Sequence, residues 1–460
     1  MKQAVDLRAV RRVHLVGIAG SGMAPLARWF LARGCAVSGS DLRASPTLGA
    51  LARAGVAVSV GHAAEHLPAT DLVVVSAAIG PTNPEVVAAR ARGLPVLTHA
   101  EVLGALTRQS RAIAIAGTHG KTTTTALVGF LLDRAGRDPT ILAGSELCNY
   151  AEGLRVGRGP LVVEADEYHH RFLELSPHVA VITNVEADHL DYFGDPLAVE
   201  AAFAAFAARL PPDGLLIRCA DDPGASRVPT HGRRVVSYGL HAEAAWRAWE
   251  IVPLPHGGMR FMVAAPDGQV LPAWTRLDGH HNIQNVLAAL AVVTAEGVPL
   301  ATAVAALGEF RGTRRRLEPI GSAAGITVVD DYAHHPTAVA VTLAAVRARW
   351  AGPLWVAFQP HTRHRTAALL DAFANAFAAA DAVVVTGIYE PAGREHTEVP
   401  ISGADLAAKI RGPQARYVAD LDAAAALLAA ELPDGALLLT MGAGDIDTLG
   451  PRVLARREQP

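Results

Sequence analysis

Lysine is nearly absent from this chain of 460 residues: it stands only at positions 2, 121 and 409, although Lys and Arg together number 41. Arginine carries almost all the positive charge, so a lysine inside a motif calls for a chemical reason. Cysteine is equally scarce. Cys35, Cys148 and Cys219 are odd in number and far apart, which excludes a disulfide framework and a C-x-x-C metal site and makes a reducing cytoplasm the expected compartment. Neither sign of charge is in excess: 41 basic residues face 44 acidic ones, for a net charge of −3. Such a balance offers no broad basic surface, so neither nucleic acid nor an acidic membrane is an expected partner. Long uninterrupted apolar runs are missing too. The most apolar stretch, 286–310, contains Glu296, Gly297, Pro299 and Glu309, which argues against a membrane span. Near the N-terminus the apolar run after Arg11 and Arg12 is broken by glycines, so no signal peptide is expected.

What the chain does have is apolar residues, 51% of the total, enough for large cores. Its length suggests about three domains. Short β-rich runs alternate with Ala/Leu-rich helical stretches, which predicts an α/β fold of three tandem domains with mostly parallel sheets. In the first, over 1–110, a strand at 13–16 leads into a glycine loop from Gly17 to Gly22 and a helix ending near Gly34, with Asp41 just beyond the next strand. The segment PTNPE and the polar residues 107–111 mark its expected end. The second, over 111–312, restarts with a strand at 112–116, another glycine loop and a helix over 121–135 stopped by Gly136. Residues 233–273 read as hairpin-rich β structure and 282–295 as a helix. The third, over 313–460, has strands at 327–331, 354–358, 382–388 and 436–440, separated by alanine-rich helices such as 367–380.

Residues 117–125 read GTHGKTTTT between a buried strand and a helix. Backbone amides over Gly117, Thr118, His119, Gly120, Lys121, Thr122 and Thr123 can line the phosphates of ATP, aided by the helix N-terminus. Lys121 reaches the outer phosphates as a point charge, and the Thr122 hydroxyl sits on Mg²⁺. The spacing G-x-x-G-K-T is two residues shorter than the usual P-loop, but its strand–loop–helix setting is the same. Metal ligands belong at neighbouring strand ends. Two acidic loops qualify, EADEY (164–168) and NVEADHLD (184–191), with Glu164 and His189 first and Asp188 and Asp166 second as Mg²⁺ ligands. In GHHNIQN (279–285), Asn282 suits a helix cap, and Asn285, one turn deeper, suits adenine recognition. FRGTRRRLE (310–318) offers an arginine, with Arg315 central, that closes on a phosphate when domains meet. DDYAHHP (330–336) and FQPHTRHRT (358–366) bring acidic, tyrosine, histidine and arginine side chains to two strand ends, beyond what packing requires.

Taken together, these motifs resemble those of the Mur ligase family from residue 13 to about 445. GTHGKTTTT, EADE, the Asp-His pair at 188–189, GHHNIQN and DDYAHHP carry the likeness, with GIAGSGM (17–23), SGSD (38–41), AGRDPT (135–140) and FQPH added. The resemblance implies a Rossmann-like N-terminal domain, a central P-loop ATPase domain and a Rossmann-like C-terminal domain, acting on small molecules in peptidoglycan precursor synthesis. Within the family it runs toward the member that joins L-alanine to the lactoyl carboxylate of UDP-N-acetylmuramate through an acyl phosphate. Uridine diphosphate is then expected on Gly17, Gly20, Ser21, Gly22 and Met23, with Asp41, His62 and Ser76. Tyr332, His334, His361 and Arg365 shape the amino-acid pocket, and Asp331 meets the ATP ribose. Lys121 and Arg315 neutralise the transferred phosphoryl group, and His189 or His334 assists the amine. The lysine count agrees: several later ligases of the pathway carry a carbamoylated lysine, and no lysine lies between 122 and 408 here. The family pattern is departed from at three places: Ala19, the run Tyr168-His169-His170 after EADE, and Thr362 after Pro-His. The last makes Arg365 the matched arginine rather than Arg363. Monomer and dimer both stay open. A ligase that recycles a ready-made tripeptide is the close rival. A nicotinamide dehydrogenase is the distant one, suggested by the first glycine loop and Asp41.

Overall fold

The computed structural model describes residues 5–150, 153–391 and 399–458. Among these, the strands form three sheets. The first is fully parallel, in the order Ala57–Val60, Ala36–Asp41, Arg12–Val16, Leu72–Val75, Val96–Thr98. Strand order reverses beside Arg12–Val16, so the glycine loop after it lies at the switch point where doubly wound sheets take their ligands.

The second sheet has nine strands, in the order Val270–Thr275, Met259–Ala264, Trp246–Pro253, Arg234–Gly239, Leu215–Cys219, Val179–Ile182, Ala112–Ala116, Leu161–Glu164, Thr140–Leu142. Hairpin structure was expected over all of 233–273, but Arg234–Gly239 extends the parallel part, and antiparallel pairing begins only beyond Trp246–Pro253. Because Leu161–Glu164 and Val179–Ile182 flank Ala112–Ala116, the loops GTHGKT, EADEY and NVEADH leave three adjacent strands at one edge.

In the third sheet, Glu318–Ala323 pairs antiparallel with Ile326–Asp331; Leu437–Met441, Leu354–Phe358, Ala382–Val385 and Gln414–Tyr417 follow in parallel. Strand alternation divides the core of this domain: Val356 and Phe358 pack with Phe373 and Phe377 on one face, Ala357 with Leu428 and Leu438 on the other. The helix expected over 367–380 breaks at Leu369. Its first part, Arg363–Ala368, carries Arg365 toward the central domain, and its second, Leu370–Ala376, buries Phe373.

Polar residues 107–111 do not form a loose linker. Most of them end the helix His99–Gln109, which starts with a capping box in which Glu101 N–H donates to Thr98 Oγ1 (3.2 Å) and Thr98 N–H to Glu101 Oε2 (2.8 Å). Thr107 donates to Gly104 O (2.9 Å) and accepts from Ser176 N–H (3.0 Å), so its hydroxyl is consumed inside the protein. Val102, Leu103 and Leu106 join a single apolar core that runs from the first sheet into the second. The C-terminal core is separate, and that domain meets the central one through polar groups. No described helix is long and apolar enough to cross a membrane.

Candidate active site

The buried strand Ala112–Ala116 turns at Gly117 (φ +138°) and Gly120 (φ +80°) into the helix Lys121–Arg134. Glycine is required at both turns: a Cβ on Gly117 would stand 1.9 Å from Thr183 Oγ1, and one on Gly120 2.5 Å from Asn285 Oδ1. Asn184 Oδ1 braces the loop by accepting from His119 N–H (2.7 Å), and Thr118 Oγ1 accepts from Glu186 N–H (2.9 Å). No described side chain caps the helix, so its first amides and its dipole are available to a phosphate. Lys121 Nζ donates to Gly117 O (2.5 Å) and to Glu167 Oε2 (2.8 Å). Burial alone would lower the lysine pKa, but the carboxylates of Glu167, Asp166 and Glu164 outweigh it and raise the value. Burial pushes Glu167 up to about 7, against the pull of Lys121. Glu167 stands in EADEY, yet nothing in the letters separates it from Glu164.

Thr122 Oγ1 donates to Glu164 Oε2 (2.9 Å), which also accepts from Gly144 N–H (2.7 Å). His189 has left-handed backbone (φ +54°) ahead of the short helix Leu190–Phe193. Its ring centroid lies 4.5 Å from that of Tyr168, and its Nδ1 is buried with no hydrogen-bond partner among the described residues. Burial holds its pKa down to about 4, which leaves the imidazole neutral at pH 7. Oxygens of Thr122 and Glu164 with this unpaired nitrogen make a donor set that fits a divalent ion. Asp166, second among the expected ligands, accepts from Arg171 Nη1 (2.8 Å). Asp188 accepts from Arg365 Nε (2.9 Å) and Nη2 (2.8 Å) across the domain boundary. Burial would raise the Asp188 pKa, but Arg365 overrides it and holds the carboxyl well below its usual range.

Asn285 was expected at adenine. Its Oδ1 accepts from Thr124 Oγ1 (3.2 Å), and its Nδ2 donates to Asn282 Oδ1 (3.0 Å), so it buttresses the P-loop from beneath. Asn282 does not cap its helix: the cap position is Gly279, and Asn282 Nδ2 donates to Asp278 O (2.8 Å).

Arg315 was expected on the transferred phosphate, but its guanidinium is engaged within its own domain. It donates to Asp330 Oδ2 (3.1 Å), Gly444 O (3.0 Å) and Gly442 O (2.8 Å). Arg316 is the arginine at the P-loop, with Nη2 3.5 Å from Thr122 Oγ1. Left-handed backbone at Arg315 (φ +58°) and Leu317 (φ +47°) reverses which side chain faces inward. Asp331 is buried, and each of its oxygens accepts from a backbone amide, Leu317 and Ala333, both at 2.8 Å. Its burial raises its pKa against the pull of Arg316.

Arg365 Nη1 lies 3.0 Å from His361 Nδ1. Arginine only donates, so this Nδ1 accepts and the ring proton belongs on Nε2. His334 Nδ1 donates to Tyr332 O (2.8 Å), which leaves its Nε2 lone pair open. Burial, Arg365 and His361 hold the His334 pKa well below the usual imidazole value.

One cleft of about 1950 Å³ joins these groups. Its wall includes Gly20, Ser21, Gly22, Met23 and Ser76 from the first domain; Thr118 to Thr123, Glu164, His189 and Asn285 from the second; and Arg315, Arg316, Asp331, Tyr332, His334, His361 and Arg365 from the third. Gly17, Asp41, His62 and Gly117 are not in that wall. Asp41 Oδ2 accepts from Ala19 N–H (2.9 Å) and so braces the first loop from behind, while His62 Nδ1 lies 2.9 Å from the buried Glu85. Gly17 (φ +76°) brings the backbone against Ser76, where a Cβ would stand 2.9 Å from Ser76 Cβ.

Three α/β domains closing one cleft around a short P-loop define an ATP-dependent ligase. Family models agree domain by domain: Mur ligase family, catalytic domain, over 12–111; Mur ligase middle domain over 115–293; and Mur ligase, glutamate ligase domain, over 315–444. The chain belongs to the Mur ligase family, whose members form amide bonds at the expense of ATP. It is similar to the UDP-N-acetylmuramate–L-alanine ligase of Acidothermus cellulolyticus, at 44% identity over 98% of this chain and 96% of that protein. Among solved structures it is similar to the UDP-N-acetylmuramate–alanine ligase of Thermotoga maritima, with 28% identity, a TM-score of 0.81, and 97% of this chain and 98% of that one covered. A murein peptide ligase from Psychrobacter arcticus, also at 28% identity, has a TM-score of 0.77 over 98% of this chain and 99% of its own.

Proposed function

We propose that this protein joins L-alanine to the lactoyl carboxylate of UDP-N-acetylmuramate, converting ATP to ADP and phosphate, in cytoplasmic peptidoglycan precursor synthesis. The single cleft that runs from the first glycine loop past the P-loop to the His334–His361–Arg365 cluster carries this reading. The division of labour is a sugar-nucleotide domain over 1–110, an ATP-binding domain over 111–312 and an amino-acid domain over 313–460.

A carboxylate does not react with an amine at neutral pH, because it is an anion with no leaving group. In the proposed sequence a carboxylate oxygen attacks the γ-phosphorus of ATP and ADP departs, leaving an acyl phosphate. The amine nitrogen of L-alanine attacks the acyl carbon, and the tetrahedral adduct expels phosphate and loses a proton from nitrogen. Lys121, the helix amides and Arg316 stabilise charge on the transferred group. Mg²⁺, held by Thr122, Glu164 and His189, would add charge neutralisation at the phosphates. Arg365 and the His361 Nε2–H suit the carboxylate of the amino acid, and the open His334 Nε2 suits its amine. Because an acyl phosphate hydrolyses, the polar contacts that close the third domain over the cleft also serve to exclude water.

Substrate carrying ¹⁸O in the lactoyl carboxylate tests this chemistry. Label should reach the released phosphate when L-alanine is supplied; phosphate free of label would rule out the acyl phosphate. The recycling reading keeps one supporting observation, the likeness to the murein peptide ligase.

A further inference from the structure

His119, Glu186 and His335 meet where the P-loop faces the C-terminal domain. His119 Nε2 lies 3.5 Å from Glu186 Oε2, and His335 Nδ1 lies 3.8 Å from the same oxygen. One ligand atom from each residue falls within 4.8 Å of the other two, the one such His/Cys/Asp/Glu group among the described residues. The His335 side chain is 6% exposed. Nε2 of both histidines is buried with no hydrogen-bond partner among the described residues. Buried polar atoms are ordinarily paired, so the unpaired His119 Nε2, which faces the Glu186 carboxylate, requires a reason.

A bound ion supplies one. With metal–ligand bonds of ~2.0–2.1 Å, neighbouring ligands of a tetrahedral ion stand about 3.3–3.4 Å apart. Two of the ligand pairs, at 3.5 and 3.8 Å, lie a few tenths of an ångström beyond that spacing, and the third lies within 4.8 Å, so the side chains close inward on the ion. We propose that His119, Glu186 and His335 form a second metal site, for a nitrogen-preferring divalent ion such as Zn²⁺, that bridges the central and C-terminal domains. Two imidazoles and one carboxylate disfavour Mg²⁺, which takes oxygen ligands. Thr337 Oγ1 donates to Glu186 Oε2 (2.7 Å), the outer hydrogen bond that orients a ligating carboxylate. His335 Nδ1 gives up only a long bond, 3.4 Å from Thr337 N–H. All three residues line the cleft, so a fourth position faces solvent or substrate. His335 directly precedes the helix Pro336–Arg347; the ion therefore ties the start of that helix to the P-loop.

Co²⁺ is the probe, because nitrogen-bound tetrahedral Co²⁺ absorbs strongly in the visible and oxygen-bound octahedral Co²⁺ only weakly. The full chain, saturated with Mg²⁺, is titrated with Co²⁺ while circular dichroism and melting confirm that each variant is folded. The expected result is a strong visible band from a single ion per chain, displaced by Zn²⁺. Affinity should fall roughly tenfold or more in His335→Gln and in Glu186→Gln, and the band should persist in His189→Ala. A wild-type protein without the band overturns the proposal. So does a band that survives in both His335→Gln and Glu186→Gln, or one that disappears in His189→Ala.

Discussion

Lys121 Nζ stands 2.8 Å from Glu167 Oε2, a buried ion pair inside the loop that receives ATP. Removing one partner of a buried pair ordinarily costs about 3–5 kcal/mol. Glu167, already pushed up to about 7 by burial, can take a proton when the lysine is gone, so the fold should tolerate the loss. Lys121→Ala is expected to melt as a cooperative, folded protein and to lose ~10²–10³-fold or more in phosphate release. Near-normal turnover in a folded variant would mean that the loop does not hold the transferred phosphate.

Arg315 and Arg316 are adjacent in sequence and should differ in what they support. Arg315→Ala leaves Oδ2 of Asp330, a residue 1% exposed, and two carbonyl oxygens without the donor Arg315 supplies, while Asp330 Oδ1 keeps Thr440 Oγ1. It should lower stability by about 2–3 kcal/mol, seen as a reduced Tm. Arg316→Ala should leave Tm within a few degrees and reduce kcat by roughly 10-fold or more. The opposite pattern would return the phosphate role to Arg315.

Acid should loosen the first domain through Glu85. His14 Nε2 (2.6 Å), Ser40 Oγ (2.8 Å) and His62 Nδ1 (2.9 Å) converge on its carboxylate. Burial raises its pKa, but hydrogen bonds from His14, Ser40 and His62 outweigh burial and hold the folded value below the ordinary 4.5. A depressed folded pKa gives stability that is complete above that ordinary value and is lost as pH falls through the folded one. Glu85→Gln should therefore lower Tm near neutral pH and flatten its fall on the acid side. An acid limb as steep as the wild type's would place the sensitive carboxylate elsewhere.

Gly104 tests whether the first two domains share one core. A Cβ there would stand 2.5 Å from Glu174 O, a backbone atom that cannot swing aside. Gly104→Ala should cost about 1–3 kcal/mol by overpacking, although alanine is ordinarily the better helix former. A stabilised variant would show that the helix His99–Gln109 is not docked as described.

Architecture was legible wherever a local rule decided it. Gly117 and Gly120 stand where only glycine fits, and strand–loop–helix periodicity located both glycine loops within a few residues. Side-chain assignments that depend on distant contacts were not legible. Arg314, Arg315 and Arg316 are the same letter, and the left-handed turn at Arg315 decides which faces the P-loop. Residues 107–111 look polar enough for a linker, but Thr107 satisfies its hydroxyl against Gly104 O. Glu167 differs from Glu164 in EADEY only once the fold buries it beside Lys121. His335 reaches Glu186 across 149 positions of sequence (335 − 186), a pairing that no local pattern announces. Asn184 could have been found, as the polar residue directly after the buried strand Val179–Ile182 and Thr183.

Amine choice tests the central claim most directly. With UDP-N-acetylmuramate and ATP supplied, phosphate release is measured with L-alanine, with the tripeptide L-alanyl-γ-D-glutamyl-meso-diaminopimelate, and with no amine. The account predicts sustained release with L-alanine alone. Sustained release with the tripeptide and none with L-alanine would contradict it and assign the cleft to recycling.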